Sequence, residues 1–333
     1  MPDAVASAKP KVAFYWCASC GGCEESFVDM ADALLEVAEL VEIVLWPVAM
    51  DFKRRDIEAL PDGAITATLL NGAIRTSEQE EMAVLLRRKS RLMIAYGSCA
   101  HTGGVPALAN QFSRSEILQY VYHDAPSVEN PSGTEPQVEV HENGWTAELP
   151  EFWSGVRALD QVVDVDYTIP GCAPNPDLVV TALKALLSGE APPKGSVLAP
   201  DIALCDNCPR IDTKPADLQV ERFKRPHLHP IDPNVCLLAQ GFVCLGPATC
   251  SGCGERCIRG NMPCTGCFGP VSNVRDHGAK MLSMLASMAK GESEAEIEQA
   301  LSGIPDPLGT FYRYGLAHSL LRRKVDERAD KPL

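Results

Sequence analysis

The sequence predicts an α/β fold, a flavodoxin-like parallel sheet followed by a second, irregular domain organised by its ligands. Three observations carry this expectation. Short apolar runs alternate with helical patterns through the first part of the chain, cysteines follow directly on the ends of several of those runs, and beyond about residue 196 regular periodicity gives way to crowded Cys, Pro and Gly.

The expected strands are residues 11–16, 41–46, 65–70, 91–96 and 163–169, and the expected helices between and after them are 24–36, 78–88 and 178–187. Strands that alternate with helices imply a parallel sheet with helical cover. Residues 123–144 are rich in Pro, Ser, Gly and acidic side chains and read as an excursion over the surface. The first domain spans 1–195 and the second 196–333. A segment as irregular as 205–270 needs something besides apolar burial to fix it. Three helices, at 274–289, 294–301 and 310–322, are expected to pack on it.

The net charge of −14 over 333 residues argues against nucleic-acid binding, which rests on clustered Lys and Arg. Met1 to Pro10 is polar, without the ordered regions of a secretory signal, and no run of about 18 apolar residues occurs. The expectation is a cytoplasmic protein with no membrane span. Fourteen cysteines then read as metal ligands and not as a disulfide scaffold, because cytosolic thiols stay reduced.

In open parallel sheets ligands sit at the carboxyl ends of strands, so Cys17, Cys20, Cys23, Cys99 and Cys172 should converge on one edge. Glycines beside them let backbone amides approach a cluster's sulfides. A thioredoxin-like pair at Cys20 and Cys23 would leave Cys99 and Cys172 unexplained. The second constellation is LCDNCPR at 204–210 and CLLAQGFVCLGPATCSGCGERCIRGNMPCTGCFGP at 236–270, whose nine cysteines make two four-ligand sites with one left over. Paired C-x-x-C also fits structural zinc. The flanking Pro and Gly, with the additional four-cysteine site at the sheet edge, favour iron-sulfur.

CGGCEES at 20–26, GSCAHTGG at 97–104, PGCAPNP at 170–176, and CLGPAT and PCTGC in the last third resemble the small subunit of nickel-iron hydrogenases. The similarity is greatest to the cytoplasmic, heterodisulfide-reductase-associated, methyl-viologen-reducing type, and it covers nearly the whole chain. It implies a proximal 4Fe-4S cluster on Cys20, Cys23, Cys99 and Cys172. It further implies a medial cluster on Cys253, Cys257, Cys264 and Cys267, and a distal one on Cys205, Cys208, Cys236 and Cys244. Cys205 stands where the family has a histidine, and Cys257 where many members have a proline, so three complete 4Fe-4S clusters are expected. Extra thiolate charge favours low potentials.

The resemblance also implies the function: electron transfer from hydrogen oxidation at a nickel-iron site in a separate large subunit to a downstream iron-sulfur or flavin subunit of the heterodisulfide-reductase type. No catalytic residue is expected on this chain. The alternatives are a quinone-reductase-type subunit, which would lack the second cysteine region, and a zinc-stabilised scaffold. Cys17 and Cys250 read as spare buried thiols. Glu25 matches an acidic position of the family motif, facing a partner or a proton route, or favouring a helix N-terminus. His101 reads as packing, and the basic run 222–229 as a solvated face or a docking patch.

Overall fold

The computed structural model describes residues 9–325. Most of the polar stretch Met1 to Pro10, and the last residues of the chain, lie outside the described residues.

Six strands form one sheet: β1 (Lys11–Trp16), β2 (Glu42–Leu45), β3 (Ile65–Asn71), β4 (Ser90–Tyr96), β5 (Tyr167–Ile169) and β6 (Ser196–Val197). Their order is β6-β5-β4-β3-β1-β2 and every pairing is parallel. The first five strands follow the flavodoxin-like order, with the reversal between β1 and β3. Register lines up Phe14, Leu69, Ile94 and Tyr167 across the sheet. These side chains are all buried in one apolar cluster, which explains why the strands read as continuous apolar runs.

The helices between strands follow from their caps. Helix α1 (Gly22–Val28) and helix α2 (Asp32–Leu40) stand where one helix over 24–36 was expected. Ala31 takes φ 52°, which stops the first helix and restarts the second, while Phe27 and Met30 just before the bend both reach the core. Helix α3 (Ser77–Lys89) begins at a reciprocal cap, with Thr76 Oγ1 accepting from Gln79 N and the Gln79 side chain accepting from Thr76 N. Helix α4 (Ser98–Thr102) is a single turn directly after β4, and α5 (Pro176–Ser188) starts with Asn175 as cap and Pro176 in the first position.

Strand β5 begins at Tyr167, later than the expected 163. Just before it, Asp166 accepts from Arg87 (2.6 Å), from Lys194 (2.6 Å) and from the amide of Met93 (2.8 Å), so a side chain takes over the ladder position. The excursion after residue 123 includes an exposed hairpin, Glu139–Glu142 with Trp145–Glu148. The chain then returns as Phe152–Arg157, antiparallel to Ile74–Thr76.

From residue 198 to 275 the backbone is mostly loops and single 3-10 turns, with the one-turn helix α6 (Arg256–Arg259). Buried Arg210 organises part of it, donating to Ile258 O and Asn261 Oδ1, both at 2.9 Å. Helices α7 (His277–Met288), capped by Asp276, and α8 (Glu294–Leu301), capped by Ser293, match expectation closely. The expected helix 310–322 does not form. Helix α9 (Pro307–Phe311) is capped by Asp306 and ends at Phe311, and a 3-10 turn at Leu316–His318 follows. Between them the Tyr314 carbonyl accepts from Thr102 Oγ1 and Gly104 N, and these tertiary bonds replace helical ones.

Candidate metal centre

The segments after β1, β4 and β5 carry Cys20 and Cys23, Cys99, and Cys172, with Cys23 in the first turn of α1 and Cys99 in α4. Gly97 N donates to Ile169 O (2.8 Å) and Ser98 N to Gly171 O (2.7 Å), which draws the last two loops together. Burial pushes the Cys23 thiol up, and the charges of Cys99, Cys172 and Cys20 act in the same direction. Cys99 is pushed to about 12 by burial and then by Cys172 and Cys20. All four therefore lie within one another's fields. Gly97, at φ 85°, is required here: a Cβ on it would lie 2.3 Å from Cys23 Sγ. Cys17 is buried elsewhere, its thiol raised by burial and by Glu78, with no contribution from this quartet.

In the second constellation Cys205 and Cys244 feel Cys208 and Cys236, Cys267 feels Cys253 and Cys257, and Cys264 feels Cys244 before Cys267. Cys205 is raised to about 12 by burial, then by Cys244, with Cys208 and Cys236 adding to it and Lys214 opposing. Cys244 is raised to about 11, again first by burial, while the amides of Gly246 and Cys264 donate to its sulfur and hold it lower. Burial lifts Cys267 to about 12, assisted by Cys253 and Cys257. Cys264 is raised well above a normal thiol by burial, with Cys244 and Cys267 contributing. Cys250 is raised to about 11 by burial and by Asp201, with Cys253 adding to it, and its buried Sγ donates to Pro200 O at 3.0 Å.

Two hydrogen bonds link thiols of neighbouring expected quartets. The Cys172 amide donates to Cys267 Sγ, and the Cys264 amide donates to Cys244 Sγ at 3.3 Å. Among the described residues no three Cys, His, Asp or Glu side chains gather closely enough to hold one metal ion.

Glu24, and not Glu25, is the acidic residue built into this edge. It is buried, accepts from Asn71 Nδ2 (2.6 Å) and from Trp46 Nε1, and burial raises its carboxyl although both bonds oppose the rise. Glu25 is exposed. The available signal was Asn71, a polar residue at the end of an apolar strand. His101 packs against Gly269, where an added Cβ would sit 3.0 Å from Cε1. In the basic run, Arg222, Lys224, Arg225, His227 and His229 are exposed, and Lys224 N donates to Gly241 O beside Cys244.

The family described as NADH ubiquinone oxidoreductase, 20 Kd subunit, matches residues 20–186, a span that holds the whole sheet-edge quartet. The iron-sulfur subunit of the F420-non-reducing hydrogenase of Archaeoglobus profundus is 36% identical over 319 residues, 95% of this chain and 98% of that protein. The chain belongs to this family of hydrogenase small subunits. A second relative, from the vhu F420-non-reducing hydrogenase of Methanocaldococcus jannaschii, is 37% identical over 95% of this chain and 98% of its own length. Both alignments run through the second cysteine region, which lies beyond the residues matched by the 20 Kd family. At the level of fold alone, a chain of the NiFeSe hydrogenase of Dm. baculatum aligns with TM-score 0.51 and 19% identity over 80% of this chain and 96% of that one.

Proposed function

We propose that this chain is the electron-transfer small subunit of a cytoplasmic nickel-iron hydrogenase complex and holds three 4Fe-4S clusters. Cys20, Cys23, Cys99 and Cys172 would hold the proximal cluster, Cys253, Cys257, Cys264 and Cys267 the medial, and Cys205, Cys208, Cys236 and Cys244 the distal. The observation that supports the reading is the pair of amide–sulfur contacts, Cys172 on Cys267 and Cys264 on Cys244, each of which links thiols of neighbouring proposed quartets. Clusters bound there supply one-electron carriers between the large subunit's nickel-iron site and a downstream iron-sulfur or flavin subunit. Residues 1–195 would form the domain of the first cluster and 196–333 that of the other two.

The residues fit such groups. Gly97 leaves open the space beside Cys23 that any side chain would fill, and Gly246 does the same beside Cys205, where an added Cβ would lie 3.3 Å from Sγ. The amides of Glu255 and Arg256 donate to Cys253, and those of Gly246 and Cys264 to Cys244. Such bonds disperse thiolate charge and tune cluster potential. The full-length likeness to the F420-non-reducing hydrogenase relatives supports a hydrogenase over a single-cluster quinone-reductase subunit. Among the described residues no helix is long and apolar enough to cross a membrane.

Iron and zinc counted in the anaerobically purified complex, after allowance for the partners' iron, test the reading. About twelve iron per copy of this chain with negligible zinc is the expected result. About four iron with two zinc would make the second constellation a structural module and remove the path beyond the first cluster.

A further inference from the structure

We propose that Tyr314 is the positioning residue that sets how the sheet-edge and medial sites face one another, an inference that rests on the electron-relay reading above.

Tyr314 grips a loop of each site. Its carbonyl oxygen accepts from Thr102 Oγ1 and from Gly104 N (3.1 Å), both on the loop that carries Cys99. Its phenol meets Thr265 Oγ1 at 3.4 Å, and Thr265 lies between Cys264 and Cys267. The phenol is raised first by burial, and the charges of Cys267 and Cys172 add to the rise, so thiols of both proposed sites lie near it.

The backbone end of this clamp has no slack. A Cβ on Gly103 would lie 2.6 Å from the Ala317 side chain, and one on Gly104 would lie 2.5 Å from Cys99 Sγ. The segment 314–317 is thus locked against the first site, and the phenol is its reach toward the second. On the far side of the same turn, Cys267 is held by Ser98 Oγ on its carbonyl and by the Cys172 amide on its sulfur. Tyr314 fixes the Thr265 side, so that the turn has two anchors and cannot pivot about one. Electron tunnelling falls off exponentially with the gap, so a small pivot changes the rate while leaving every ligand in place.

The test compares Tyr314→Phe, Thr265→Val and the double variant in the intact complex, with iron content and thermal midpoint measured alongside. The magnetic coupling between the reduced proximal and medial clusters is read by electron paramagnetic resonance, and the rate of medial reduction is followed after a hydrogen pulse. Each single variant is expected to keep its iron, weaken the coupling and slow the medial step several-fold. The double variant should be no worse than either single, because both remove one shared contact. Thr265→Ser, which retains the hydroxyl, should behave as the parent. Variants with full iron and parental coupling and rate would overturn the proposal, as would effects that simply add. A parent complex without two coupled cluster signals would instead overturn the relay reading, and this inference with it. Should Tyr314→Phe lose iron, Thr265→Val and Thr265→Ser carry the same comparison from the other end of the contact.

Discussion

The amide of Cys264 lies 3.3 Å from the sulfur of Cys244, so a ligand proposed for one cluster donates a hydrogen bond to a ligand proposed for the next. The Cys172 amide repeats the relationship at Cys267 Sγ. Neighbouring sites therefore share hydrogen bonds, and substitutions that respect or break those assignments have separable consequences.

Cys257 is exposed, its charge acts with that of Cys253 on Cys267, and it is the fourth ligand proposed for the medial cluster. Changing Cys257→Pro should leave three thiolates and convert the medial cluster to a three-iron species with its own paramagnetic signal. The proximal and distal signals should persist. Loss of either of those instead would show that the quartets are wrongly divided.

Gly97→Ala should eliminate the sheet-edge cluster, since its Cβ would lie 2.3 Å from Cys23 Sγ at φ 85°. Iron should fall by about four atoms per chain. Gly63→Ala is the control: Gly63 has φ 72° but nothing within 4 Å of the added atom. It should cost only about 1–2 kcal/mol of backbone strain and keep its iron.

Asp166 anchors β5 to β4. Burial alone would raise its carboxyl, but bonds from Lys194, Arg87 and the Met93 amide outweigh burial and hold it below the ordinary value. A depressed folded value means that the stabilisation is present above the unfolded carboxylate range, about pH 4, and is lost as pH falls through the folded one. Asp166→Asn should cost about 2–3 kcal/mol near neutrality. Denaturant melts of the two proteins at stepped pH should converge below about pH 4; a gap that stays constant there would assign the loss to something other than the carboxylate.

Arg75 is buried over the Phe152 ring at 4.0 Å, and among the described residues its Nη1 and Nη2 have no hydrogen-bond partner. An unpaired buried charge is costly, so Arg75→Met should be neutral or stabilise the protein by up to about 4 kcal/mol, less the lost ring contact. A melting temperature clearly below that of the parent would contradict this and point to an acceptor for Arg75 in the assembled complex.

Much of this was readable from residues alone, and the exceptions have physical causes. Strand Lys11–Trp16 and helix Glu294–Leu301 stand where periodicity and capping put them, because local signals and burial agree there. Cys20, Cys23, Cys99 and Cys172 were traceable to one edge because parallel strands deliver their following loops to the same side. Helix 310–322 failed because Thr102 and Gly104, some 200 residues earlier, claim the Tyr314 carbonyl. The bend at Ala31 carries no Gly or Pro to announce it. Glu24 was overlooked in favour of Glu25 because only the three-dimensional positions of Trp46 and Asn71 distinguish a buried neighbour from an exposed one.

Cys264 and Cys267 stand on one tight turn, yet the first meets the distal group and the second the sheet-edge group. Within that turn Gly266 takes φ 92°, and a Cβ there would lie 2.7 Å from His277. Two spacer residues thus calibrate both junctions at once. Descendants of this chain can lengthen the exposed hairpin at 139–148 freely, but a single insertion between Cys264 and Cys267 would shift the contacts that the proposed medial site makes with both of its neighbours.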